Sequence, residues 1–187
     1  MPDLDAARAT LLEALREHAL ILGEVTLASG QKADYYIDAR RAVLRPAGFR
    51  AAGELVAAAA KDVGANAVGG PAAAAIPVAC SALAVEEGSG LRAFFVRKER
   101  KQHGLQRAVE GAVEKGDRVL VVEDTVTTGG STVEALEQVR GAGLEIAGVL
   151  ALVDRLAGGG ERISEAAQAP YRALTTVDEI HPERNDR

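Results

Sequence analysis

The chain has 187 residues, 48% hydrophobic and 26% charged, which is enough apolar material to bury a core as one soluble domain. Its formal net charge of −5 excludes the broad basic footprint that bulk nucleic-acid binding requires, and no apolar run approaches the roughly 20 residues of a membrane span. A single cysteine, Cys80, excludes an internal disulfide framework and fits a reducing cytoplasm.

In chain order, residues 3–22 carry apolar side chains at Leu4, Ala7, Leu11, Leu12, Leu15, Ala19 and Leu22. That spacing predicts one helix with Asp3 as its N-cap. No basic stretch leads into an apolar core at this end, so no signal peptide is expected. Residues 24–28 and 34–38 are β-rich and flank the glycine turn of residues 29–32, which predicts a small ribbon outside the main sheet. Pro46 opens a long amphipathic helix that ends near Val63 and Gly64. Strands are expected at 67–70, 92–96, 119–122 and 145–153, and helices at 75–86, 132–140 and 160–167. Cys80, inside the apolar run 76–85, is expected to be buried. Strand alternating with helix predicts an α/β fold with a mostly parallel sheet covered on both faces. Ligands of such sheets bind beyond the carboxyl ends of the strands. The polar tail, residues 181–187, is expected to fray.

Four loops that follow strands carry the chemistry. In residues 119–131, the branched run Val119, Leu120, Val121 and Val122 leads into Glu123 and Asp124. A turn of Thr125, Val126, Thr127, Thr128, Gly129, Gly130 and Ser131 then opens a helix. Such a turn offers unpaired backbone N–H groups and the positive end of a helix dipole to a phosphate. The carboxylates can accept hydrogen bonds from sugar hydroxyls or hold Mg²⁺. No Gly-Lys-Ser/Thr follows, so nucleoside triphosphate cleavage is disfavoured. Residues 97–107 place Arg97, Lys98, Arg100, Lys101 and Arg107, with His103, directly after a strand. A cationic loop beside a phosphate site suits closure over a polyphosphate and screening of a departing one. His103 could donate a proton or only a hydrogen bond. Arg155, after Asp154, could hold a substrate carboxylate bidentately or form a surface ion pair. Tyr36 could stack on a planar ligand or pack in the core.

Together these residues resemble the orotate phosphoribosyltransferases of the type I phosphoribosyltransferase fold, from Gly23 to about Thr176. Residues 119–131 resemble the phosphoribosyl-diphosphate loop of that superfamily. Arg97, Lys98 and Glu99 with Lys101, His103 and Gly104 resemble the catalytic loop of the orotate enzymes. Ser29 and Gly30, with Tyr35, Tyr36, Ile37 and Asp38, and also Val153, Asp154 and Arg155, resemble their base-binding segments.

The resemblance implies one domain over residues 1–187, in which residues 1–40 and the C-terminal segment form a hood over the base site. It implies that Glu123 and Asp124 bind the ribose hydroxyls and that Thr125, Val126, Thr127, Thr128, Gly129, Gly130 and Ser131 hold the 5-phosphate. Arg97, Lys98, Lys101 and His103 would meet the diphosphate, and Lys101, His103 and Asp124 would carry catalysis. Thr127 and Arg155 would contact orotate, with Tyr36 and Ile37 flanking its ring. Mg²⁺ would be held mainly by substrate oxygens, with no dedicated protein metal site. The implied enzyme is a cytoplasmic homodimer that makes orotidine 5′-phosphate from orotate and phosphoribosyl diphosphate, without nucleic-acid or membrane partners.

Two positions depart from the pattern. Ala28 and Ala74 stand where many members carry lysine, and Lys32 is expected to compensate for the first loss. A transferase for another base is the first alternative reading. A sensor of phosphoribosyl diphosphate that binds nucleic acid is the second, disfavoured by the net charge and by the lysine and histidine of the 97–107 loop.

Overall fold

A computed structural model describes residues 3–26, 32–97 and 108–186. Helix α1 (Leu4–Ala14) starts where predicted, with the Asp3 carboxylate accepting from the Ala6 N–H at 3.0 Å. It does not reach Leu22. The chain widens into a π turn over Leu15–Ala19 and then extends as β1 (Leu20–Thr26), which pairs antiparallel with β2 (Lys32–Ile37). Leu20 and Ile21 have cross-strand partners in Ile37 and Tyr36, and this pairing overrides the helical spacing of residues 20–22. The ribbon is a two-stranded sheet separate from the main one, as the glycine turn predicted.

After the short α2 (Arg40–Val43), α3 (Pro46–Asp62) begins with its proline in the first turn. The remaining elements are β3 (Ala67–Pro71), α4 (Ala75–Leu83), β4 (Arg92–Val96), β5 (Val109–Gly111), β6 (Arg118–Val126) and α5 (Gly130–Gly141). They are followed by β7 (Glu145–Asp154), α6 (Gly159–Ala167), β8 (Tyr171–Thr176) and α7 (Val177–Ile180). The main sheet runs β5-β4-β3-β6-β7-β8 and is parallel except for the edge strand β5. Strands β5 and β8 are additions to the predicted set. The first is too short to show a pattern, and the second is half polar because it closes an edge.

Strand β6 lies near the middle of the sheet, and its side chains alternate between two cores. Leu120 and Val122 join the core built with α1, α3 and α4, whereas Val119 and Val121 join the one built with α5 and α6. Helices therefore cover both faces, as the α/β reading required. The C-terminal tail is anchored as far as Asp186, contrary to the expected fraying. The Arg184 side chain is only 7% exposed and donates to Asp178 at 2.6 Å. Cys80 also differs from expectation, because it sits on the outward side of α4 and is exposed.

Candidate active site

The site lies at the carboxyl ends of β3, β6 and β7, with Arg97 at the end of β4. Strand β6 is longer than the apolar run alone suggested. Glu123, Asp124, Thr125 and Val126 are its last four residues, and the turn proper is residues 127–129. Glu123 is 4% exposed. It accepts from the Thr132 hydroxyl at 3.0 Å and from the Asp124 N–H at 3.3 Å, while Asp124 accepts from the Thr125 N–H at 2.8 Å. No cation forms a salt bridge with either carboxylate among the described residues. Burial, reinforced by the Asp124 charge, pushes Glu123 up to about 8, and burial raises Asp124 as well. The Thr125 hydroxyl is buried with no partner among the described residues.

Helix α5 begins at Gly129, whose φ of 74° places it in the left-handed region. No side chain caps this N-terminus, because the N-cap residue, Gly129, has none. The first-turn N–H groups are thus left for an anion, next to Thr127, Thr128 and Ser131, all exposed. An open cleft of about 570 Å³ joins this turn (Gly130, Ser131) to the ends of β3 and β4 (Pro71, Val96, Arg97). Arg97 pairs with Glu110 at 3.2 Å across the β4–β5 edge. Lys98, Lys101 and His103 lie outside the described residues, as does Ala28.

On the other side of the site, Arg155 leaves the end of β7. Its Nη2 donates to the Tyr35 hydroxyl at 3.3 Å, and its Cζ lies 5.2 Å from the centre of the Tyr35 ring. The Arg155 Nε–H is buried without a partner among the described residues. The surface ion pair with Asp154 does not form. Asp154 instead accepts from the Leu156 N–H at 2.7 Å and the Tyr171 hydroxyl at 2.9 Å. Tyr36 and Ile37 are adjacent on β2 and so point to opposite faces; Ile37 is buried with Tyr35, and Tyr36 is half-buried. Arg40, held by Asp38 at 2.7 Å, is within electrostatic reach of both Tyr36 and Asp124. Lys32 forms an exposed ion pair with Glu24 at 2.9 Å, so its ammonium is already engaged within the ribbon.

Sequence reasoning placed Tyr35 in a base-binding segment without giving it a role of its own, and it missed Arg40 and Thr132. Alternation along β2 puts Tyr35 on the same face as Ile37, and that was the available signal for it. Arg40 and Thr132 carried none, since each acts through a fold-dependent approach.

The phosphoribosyl transferase domain family matches residues 45–170, more than half of the chain. An orotate phosphoribosyltransferase of Corynebacterium glutamicum is 48% identical over 174 residues, covering 93% of this chain and 94% of the relative. The chain belongs to the orotate phosphoribosyltransferase family. One from Streptomyces avermitilis is 46% identical, covering 95% of this chain and 98% of its own. The Mycobacterium tuberculosis orotate phosphoribosyltransferase, solved in complex with 5-phospho-α-D-ribosyl 1-diphosphate, superimposes with a TM-score of 0.79 at 37% identity, covering 93% of this chain and 98% of that one. The type I phosphoribosyltransferase fold and a pentosyltransferase class of enzyme follow from membership in this family.

Proposed function

We propose that this chain transfers the 5-phosphoribosyl group from phosphoribosyl diphosphate to N1 of orotate, a step of pyrimidine synthesis, as a Mg²⁺-dependent cytoplasmic homodimer. The observation that carries the reading is the pair of buried Glu123 and half-buried Asp124 beside the uncapped start of α5. A ribose 5-phosphate needs both: acceptors for two adjacent hydroxyls and donors for a phosphate, about one sugar apart.

Glu123 and Asp124 accept from the 2′ and 3′ hydroxyls, and the N–H groups and hydroxyls of residues 125–131 hold the 5-phosphate. Arg155 turns its unpartnered Nε–H toward the orotate carboxylate, with Thr127 beside it. Arg97, with Lys98, Lys101 and His103, balances charge on the leaving diphosphate. As the C1–O bond breaks, C1 acquires oxocarbenium character, N1 of orotate bonds to it from the opposite face, and the N1 proton passes to the departing diphosphate. The protein positions the partners and excludes water, with no covalent intermediate required.

Mg²⁺ fits the donors present. Among the described residues no three His, Cys, Asp or Glu side chains converge on an ion, but one or two carboxylates plus substrate oxygens suffice for Mg²⁺. Glu123 and Asp124, with substrate oxygens, would hold the ion, which would supply neutralisation of charge on the leaving group. The dimer reading is supported by α4, whose outward side carries Ile76, Cys80 and Leu83 next to exposed Ala73. The hood is supported by the β1–β2 ribbon, which stands apart from the main sheet and places Tyr35 against Arg155. No helix among the described residues is long and apolar enough to cross a membrane.

The test is to mix protein, Mg²⁺ and phosphoribosyl diphosphate with orotate, uracil, adenine or hypoxanthine in turn and to follow loss of free base. Turnover with orotate is expected. Turnover only with another base would leave the fold intact and remove the specificity.

A further inference from the structure

The C-terminal turn after α7 ends on the base side of the site, where it makes a chain of contacts that the transfer reaction does not itself explain. Asp186 accepts from the Tyr35 hydroxyl, with 3.0 Å to Oδ2 and 3.2 Å to Oδ1. Tyr35 in turn accepts from Arg155 Nη2 at 3.3 Å. A phenol has one proton, so the direction of these bonds is set from the tail. Once that proton is given to Asp186, the oxygen is free to accept from the guanidinium. Without Asp186 the hydroxyl can rotate, and its proton then competes with the Arg155 donor for the same space.

The other contacts of the tail hold Asp186 in place. Arg184 reaches from Asp178 (2.6 Å) to the Asp186 carboxylate (2.9 Å) and carbonyl (3.0 Å). This pairing also neutralises Asp186, so its charge does not oppose a substrate carboxylate approaching Arg155. His181 packs edge-on against the Tyr35 ring, with centroids 5.1 Å apart. Asp178 and Glu179 belong to α7, which is fastened to the helical core by Arg8 and Arg16.

We infer that Asp186 is a positioning residue for the acceptor base: through Tyr35 it fixes the Arg155 guanidinium with Nε–H turned to the carboxylate of an acidic pyrimidine. The inference rests on the orotate reading above, and it adds a determinant of base affinity that touches no substrate. Asp186 lies at the rim, with its side chain half exposed, so its removal leaves the fold in place. Its effect is confined to the base side, because the sugar and phosphate groups contact β6 and α5.

The test uses the full-length enzyme under steady-state conditions. Asp186→Ala raises the KM for orotate about five- to tenfold, the worth of one hydrogen bond, while kcat, the KM for phosphoribosyl diphosphate and the melting temperature stay near their starting values. Asp186→Asn keeps an acceptor oxygen and restores the KM to within about twofold. Tyr35→Phe reproduces the Asp186→Ala effect, and the double variant is no worse than either alone, as expected for residues acting in series. An orotate KM unchanged in Asp186→Ala would overturn the inference, as would a parallel rise in both KM values or additivity with Tyr35→Phe. If the unaltered enzyme turned over no orotate, the orotate reading itself would fall and this inference with it. The first set of failures, seen in an enzyme active on orotate, leaves that reading standing.

Discussion

Two crossings in this molecule are built alike and used differently. In both, a long parallel strand carries a carboxylate near its end, the chain turns through a glycine in the left-handed region, and a helix starts with no side-chain cap. The glycines are Gly129 before α5, with φ 74°, and Gly158 before α6, with φ 79°. At the second crossing Asp154 is fully engaged by Leu156 and Tyr171. At the first, buried Glu123 and half-buried Asp124 are hydrogen-bonded by neutral donors, with Arg40 within electrostatic reach of Asp124 but in no salt bridge with it. A satisfied acid fixes a loop. An acid kept in low-dielectric surroundings without a salt bridge is costly to ionise. Burial raises both carboxylates of the pair, and Tyr171 is raised by burial and then by its bond to Asp154.

The largest expected contrast is in turnover. Asp124→Asn should lower kcat/KM by about 10²–10³-fold, since it removes charge next to the reacting carbon. Asp154→Asn should lower it by less than about tenfold, acting only through loop position. Comparable losses in steady-state assays of the two variants would erase the distinction between the crossings.

Next in size is the glycine pair. A Cβ at Gly129 would lie 2.9 Å from the Gly159 carbonyl oxygen and 2.9 Å from Ile163, whereas at Gly158 it meets nothing within 4 Å. Gly129→Ala therefore carries backbone strain plus a clash and should destabilise by about 2–4 kcal/mol. Gly158→Ala carries the backbone term alone, about 1–2 kcal/mol. Urea unfolding separates the two; equal shifts would mean that the helices yield at no cost.

A subtler difference appears with pH. An acid whose folded pKa is raised binds its proton more tightly folded than unfolded. The associated stability is fully present below the ordinary value of 4.5 and is lost as pH rises through about 8. The free enzyme should therefore melt at lower temperature at pH 8.5 than at pH 5.5, and Glu123→Gln should flatten that decline. An identical slope in the variant would place its origin elsewhere.

The stability effect of Asp154→Ala overlaps that of the glycine pair. It leaves the Leu156 N–H and the Tyr171 hydroxyl without their acceptor and should cost about 1–3 kcal/mol in chemical denaturation. No measurable change would show that solvent replaces both bonds.

Where side chains repeat with a clear period, the fold was legible. Strand β4 matches its predicted span of residues 92–96, and Pro46 and Asp3 mark helix starts correctly. The reading failed where pairing competed with period, at residues 20–22, and where a strand continued through polar residues, as β6 does from Glu123 to Thr125. The acidic pair and the glycine turn were visible because their chemistry is compressed into one segment. The Arg155 surroundings were not. Tyr35, His181 and Asp186 come from opposite ends of the chain, and no local spacing links them. Cys80 misled because α4 is apolar apart from Ser81, which is itself buried, so composition hides which side faces outward.

Strand β6 contributes side chains to both cores, Leu120 and Val122 to one and Val119 and Val121 to the other. It behaves as a partition wall braced from two rooms. Two neighbouring acids at the top of such a wall are held at one spacing, with Glu123 keeping its proton to about pH 8. Loosening either room, for instance by trimming Val121, would shift that spacing from a distance.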